Sequence, residues 1–87
     1  MVSKNITLVN AQGFHMRPAG EFATAMSKFK SDVMIKFNNN EINGKSLMNI
    51  IAACIKCGSS IEIVCSGEDE EAALNEAVRL VESGFGE

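Results

Sequence analysis

A single histidine, His15, stands in the run Gly13-Phe14-His15-Met16-Arg17-Pro18. A neutral imidazole is a nucleophile at physiological pH. Proline suits the first turn of a helix, where its missing N–H is not needed, so Pro18 predicts a helix opening directly after the histidine. Backbone N–H groups at a helix start bind anions, phosphate included. Arg17, two positions on, offers a guanidinium fork for phosphate oxygens. A nucleophile, an anion site and a cation within a few residues suit a phosphorylated histidine better than a metal ion, which needs more ligands. The residues alone leave an exposed loop histidine without a role equally open.

Three further groups invite chemistry. Gly44-Lys45-Ser46 is similar to the end of a phosphate-binding P-loop, but the full motif needs glycine where Asn39 stands, so nucleotide binding by that route is rejected. Ser46 is then an N-cap, or a modification site whose phosphate the helix dipole would favour. Cys54-Ile55-Lys56-Cys57 is a C-x-x-C at the end of a helix rather than at its start. That placement favours buried or half-buried structural cysteines over a redox pair, and Cys65 alone does not complete a zinc site. Leu47, Met48 and Ile51 cover too wide an arc of a short helix to be buried together, so some of them are expected to face a partner, although core burial is the simpler reading of each.

The elements that position these residues follow from periodicity. Ile6 and Leu8 alternate on a strand over residues 5–9, and Asn10–Gly13 reads as a loop. Ala19, Phe22, Ala23, Met26 and Phe29 keep helical spacing, with Gly20 inside that helix at about 1 kcal/mol relative to alanine. Val33, Ile35 and Phe37 mark a second strand, Asn38-Asn39-Asn40 a turn, and residues 41–43 a third strand. Leu47, Ile50, Ile51 and Cys54 form the stripe of a short helix that runs toward Gly58. Ile61, Ile63 and Cys65 mark a fourth strand. Glu68–Glu71 reads as the solvated, dipole-favoured start of a last helix with Ala73, Leu74, Ala77, Val78 and Val81 inward and Gly84 at its end. The order is βαββαβα, an α+β layer with helices on one face of a sheet whose other face carries Thr7, Lys36 and Glu62.

Length and charge bound what is left. The chain has 87 residues, so residues 1–87 are expected to form one domain with little room for an internal substrate cavity. A net charge of −3 gives no reason to expect nucleic-acid binding. The longest apolar run, Ile50–Ile55, is far below the roughly 20 residues of a membrane span, so no membrane insertion is expected. Three cysteines make no disulfide framework and point to a reducing, cytoplasmic setting.

The sequence resembles the HPr family, the histidine-containing phosphocarriers of the bacterial phosphoenolpyruvate-dependent sugar phosphotransferase system. The resemblance covers the whole chain and is carried by Gly13-Phe14-His15-Met16-Arg17-Pro18-Ala19 and by Lys45-Ser46-Leu47-Met48. It implies an HPr-like open-faced β-sandwich, a four-stranded antiparallel sheet with three helices on one face. It implies a phosphoryl carrier rather than a stand-alone enzyme, with no cofactor and no metal. His15 would accept a phosphoryl group on Nδ1 from phosphorylated enzyme I and pass it to IIA domains of sugar permeases. Arg17 would neutralise the phosphate, and backbone N–H groups of Met16 and Arg17 would hold it. Ser46 matches the family's regulatory phosphorylation site, which brings in an ATP-dependent HPr kinase/phosphorylase and a catabolite-control transcription regulator as further partners. Leu47, Met48 and Ile51 match the partner-docking patch. A monomer is expected.

Overall fold

The computed structural model describes residues 1–9 and 13–86. The chain runs β1 (Val2–Thr7), α1 (Met16–Met26), β2 (Asp32–Phe37), β3 (Asn40–Asn43), α2 (Leu47–Ala52), β4 (Ser60–Ser66) and α3 (Glu70–Glu82), then a 3-10 turn over Gly84–Gly86. The loop expected over Asn10–Gln12 lies outside the described residues.

The four strands form one sheet in the order β1-β4-β2-β3, and every neighbouring pair is antiparallel. Side chains alternate between the two faces of a strand. Ile61, Ile63 and Cys65 therefore point together to the inner face of β4, and all three are buried. Register extends that row across the sheet, with Ile63 opposite Ile35 and Ile35 opposite Ile42. On the outer face Lys36 is paired with Glu62 and with Glu41 on the two neighbouring strands, which leaves that face polar at this end of the sheet.

The helices cover the inner face. Ala19, Phe22, Ala23 and Met26 of α1, Ile50 of α2, and Ala73, Ala77 and Val81 of α3 join the strand residues in one buried cluster. α1 packs against both other helices. The expected architecture, a four-stranded antiparallel sheet with three helices on one side, is the observed one.

The differences lie at element ends. β1 begins at Val2 and stops at Thr7, so Leu8 leaves the ladder. It is still almost fully buried, because its N–H donates to Ser59 O at 3.0 Å and its carbonyl accepts from Gly58 N–H at 2.9 Å. α1 ends at Met26, before Phe29, which is only partly buried. α2 stops at Ala52, two residues before the apolar stripe does. Cys54 falls beyond the helix at φ +55, and both Cys54 and Cys57 are exposed, contrary to the structural burial expected of them. Periodicity assumes that the helix continues, and here it does not.

Candidate functional site

His15 is the N-cap of α1. Its backbone is extended (φ −78°, ψ −173°), and its carbonyl accepts the Ala19 N–H at 3.0 Å. Its side chain makes no capping hydrogen bond and is half-exposed. The imidazole thus sits at the positive end of the helix dipole. The first N–H groups of a helix point outward from that end, and in α1 they belong to Met16 and Arg17.

The residues before His15 are held from behind. Phe14 is buried and donates its N–H to Ile55 O at 2.9 Å. Its ring stands edge-on to Phe22 and tilted against Phe85, each at a centroid distance of 5.5 Å. Such aromatic pairs favour this offset geometry. Gly13 adopts φ +65, and a Cβ there would collide with Ile55 O and stand 2.6 Å from Lys56 Cα. Glycine is required here on both counts. The histidine therefore projects from a backbone fixed by a buried aromatic ring and by the segment after α2.

Arg17 is half-exposed. Its Nη1 donates to Glu21 Oε1 at 2.8 Å and to Phe85 O at 3.1 Å. Phe85 itself is in the left-handed region (φ +56), between Gly84 and Gly86 in the C-terminal turn. The turn thus closes against the motif 68 positions earlier. Sequence reasoning named neither Phe85 nor Glu21. An (i, i+4) acid after Arg17 was a readable signal for the second, whereas nothing in the spacing announces the first.

The second motif comes to the same side of the molecule through α1. Gly20 faces α2, where a Cβ built on it would lie 4.0 Å from Leu47 Cδ1, an ordinary contact. Met16, Arg17, Gly20, Glu21 and Leu47 line one shallow groove. Met48 is 72% exposed and Met16 70%, while Leu47 and Ile51 are half-buried and Ile50 is fully buried. The residues of α2 thus divide as their arc requires, with Ile50 in the core and Met48 outside. Ser46 caps α2, and its Oγ accepts the Asn49 N–H at 3.3 Å. Among the described residues no group of three or more His, Cys, Asp and Glu side chains is placed to hold a metal ion.

One acid of the run before α3 has a structural task. The Asp69 carboxylate accepts Lys30 N–H at 3.0 Å, Ser31 N–H at 2.9 Å and the Ser31 hydroxyl at 2.5 Å. Those hydrogen bonds, the Ser31 hydroxyl first, hold its pKa down at about 2. Asp69 is therefore not merely a solvated helix start: it ties the beginning of α3 to the beginning of β2.

Comparison with known proteins converges on one assignment. The family model for the PTS HPr component phosphorylation site matches residues 2–83. The chain belongs to the HPr family. Phosphocarrier protein HPr of Treponema pallidum is 39% identical over 87 residues, covering 100% of this chain and 99% of the relative. The HPr structure of Thermoanaerobacter tengcongensis superposes with a TM-score of 0.97 at 37% identity, covering 100% of this chain and 98% of the other. The HPr-like protein Crh of Halalkalibacterium halodurans is 29% identical over 82 residues, 94% of this chain and 98% of the relative. As a member of the HPr family the chain is a phosphocarrier of the phosphotransferase system, working with the partners of that system, and not a stand-alone enzyme. No helix is long and apolar enough to cross a membrane among the described residues.

Proposed function

We propose that His15 is the atom-bearing site of this phosphocarrier. An imidazole nitrogen attacks phosphorus in line, the bond from phosphorus to the donor breaks, and the phosphoryl group rests on His15 until an acceptor takes it by the same route. The observation that carries the reading is the half-exposed imidazole at the N-terminus of α1, with the Arg17 guanidinium two residues on. An in-line transfer between two proteins needs an exposed nucleophile and an open approach. A surface site with one guanidinium and a few amides holds phosphate and still releases it.

Enzyme I is the donor, and IIA domains of sugar permeases are the acceptors. Backbone N–H groups of Met16 and Arg17 and the Arg17 side chain hold the phosphate. Leu47, Met48 and Ile51, with exposed Met16 beside the histidine, form the docking patch, and methionine suits a surface that meets several partners. The whole chain, 1–87, acts as one domain and as a monomer, in the cytoplasm. The test is phosphorylation by enzyme I and phosphoenolpyruvate with magnesium, read by intact mass before and after brief acid treatment. One phosphoryl group that acid removes, absent in His15→Ala, is expected. Normal labelling of His15→Ala would overturn the site.

A second role shares the chain. The position of Ser46 at the N-cap of α2 supports regulatory phosphorylation there. A phosphate on Ser46 would sit at the start of α2, beside Leu47 and Met48, and would put charge into the docking patch. An ATP-dependent HPr kinase/phosphorylase is the enzyme this site would serve, and a catabolite-control transcription regulator is the reader. Comparing capture of that regulator by Ser46-phosphorylated and unmodified protein tests it, and equal capture would remove the role.

A further inference from the structure

Phosphoryl transfer uses neither Cys54 nor Cys57, yet both are exposed, while Cys65 is fully buried. Burial, and then Glu70 and Asp69, push the Cys65 thiol up. A solvent-borne thiol reagent therefore meets the C-x-x-C pair and leaves Cys65 alone.

The pair occupies an unusual piece of backbone. Cys54 follows the cap of α2 in the left-handed region, at φ +55, where glycine or asparagine is the ordinary occupant. Cys57 and Gly58 form the corner of a turn, closed by the Ser59 N–H donating to Lys56 O at 3.1 Å. Between the thiols, buried Ile55 presents its carbonyl to the Phe14 N–H. Just beyond them, Gly58 N–H and Ser59 O bond the two backbone groups of Leu8. The segment carrying both cysteines is thus the strap to which Leu8 and Phe14, the residue before His15, are both bonded.

We propose that Cys54 and Cys57 are a reversible thiol modification site, closed to an intramolecular disulfide by small-molecule disulfides, and that closure slows phosphoryl acceptance at His15. The rate effect rests on the His15 reading given above. One cysteine thiolate attacks a sulfur of RSSR, giving a mixed disulfide and releasing RS⁻, which takes up the proton that the cysteine lost. The second thiolate attacks the protein sulfur of that mixed disulfide, and the second RS⁻ leaves and is protonated in turn. The protein loses two hydrogens and RSSR is reduced to two RSH. A disulfide holds its two Cα atoms within about 7 Å, so the ring draws residues 55 and 56 into a tight bend. The Ile55 carbonyl turns with that bend, and the Phe14 N–H, one residue before His15, loses its acceptor.

The test treats the folded chain with oxidised glutathione, removes the reagent, and maps peptides by mass without reduction. Phosphorylation rates with enzyme I and amide exchange at Phe14 are then measured on the same sample. The expected result is a Cys54–Cys57 link with Cys65 still reduced, faster exchange at Phe14, and acceptance slowed about ten-fold and restored by dithiothreitol. The double variant Cys54→Ser, Cys57→Ser should phosphorylate at the reduced wild-type rate with or without the treatment. Mixed disulfides without the internal link would overturn the proposal, as would a link that leaves the Phe14 exchange and the rate unchanged. Failure of the reduced protein to take up phosphate would strike the His15 reading instead, while the peptide map and the Phe14 exchange would still decide the thiol site.

Discussion

Arg17 Nη1 donates to Phe85 O at 3.1 Å and to Glu21 Oε1 at 2.8 Å, so the guanidinium next to the histidine is tied at once to its own helix and to the C-terminal turn. A cation held this way is oriented before any phosphate arrives, and a carboxylate competes with the phosphate for it. Two opposite outcomes follow. Arg17→Ala should slow phosphoryl acceptance by roughly ten-fold or more, the scale of one hydrogen bond to a charged group, without abolishing it. Glu21→Gln should shift the equilibrium toward the phosphorylated form by no more than a few-fold, because an exposed ion pair contributes only about 0.2–1 kcal/mol. Transfer equilibria against phosphorylated enzyme I measure both, and a slower or less phosphorylated Glu21→Gln protein would refute the competition.

Phe14 and His15 are neighbours in the chain with opposite work. Phe14 is buried against Phe22 and Phe85, while His15 is half-exposed. Phe14→Ala should therefore destabilise the fold by about 3–5 kcal/mol. His15→Ala should leave the denaturation midpoint nearly unchanged while removing phosphoryl uptake. Urea denaturation of the two variants separates the roles, and a large loss of stability in His15→Ala would show that the imidazole is structural.

Gly20 costs α1 backbone entropy, yet it sits where Leu47 approaches. A methyl there would stand 4.0 Å from Leu47 Cδ1, an ordinary contact that needs no rearrangement. Gly20→Ala should then stabilise the protein by about 0.5–1 kcal/mol, read as a higher midpoint in urea. A fall in the midpoint would mean that α1 and α2 need the closer approach that only glycine allows.

The parts of this molecule that sequence revealed are those whose signals are local. Strand alternation in Ile61, Ile63 and Cys65, helical spacing in Ala19, Phe22 and Met26, and the proline after His15 each act within a few residues, and each element formed where they indicated. Cys54 escaped because a left-handed residue after Ala53 ends α2 early, and a periodic stripe does not register where a helix stops. Phe85 and Asp69 escaped because their partners, Arg17 and Ser31, are distant in the chain, and only the folded sheet and helices bring them together. The histidine motif was legible as an arrangement of nucleophile, cation and helix start. What holds that arrangement in place was not.

Asp69 and Ser31 supply the pH dependence. Three hydrogen bonds to the carboxylate lower its pKa from the ordinary 3.8 to about 2 in the folded chain. A depressed carboxylate contributes stability that is complete above its unfolded pKa and is lost as pH falls through its folded value. Glu70 and Glu76 are shifted in the same direction, by the N-terminal ammonium and Gly67 N–H and by Arg79 respectively, so the wild-type curve alone does not isolate Asp69. The comparison with Asp69→Asn does. Between about pH 5 and about pH 2, the melting temperature of the wild-type protein should fall more steeply than that of the variant, and the two should draw together at the acid end. Ser31→Ala, which removes the leading cause of the shift, should flatten the curve in part. Parallel curves for wild type and Asp69→Asn would mean that the carboxylate keeps an ordinary pKa and that the tie between α3 and β2 lies elsewhere.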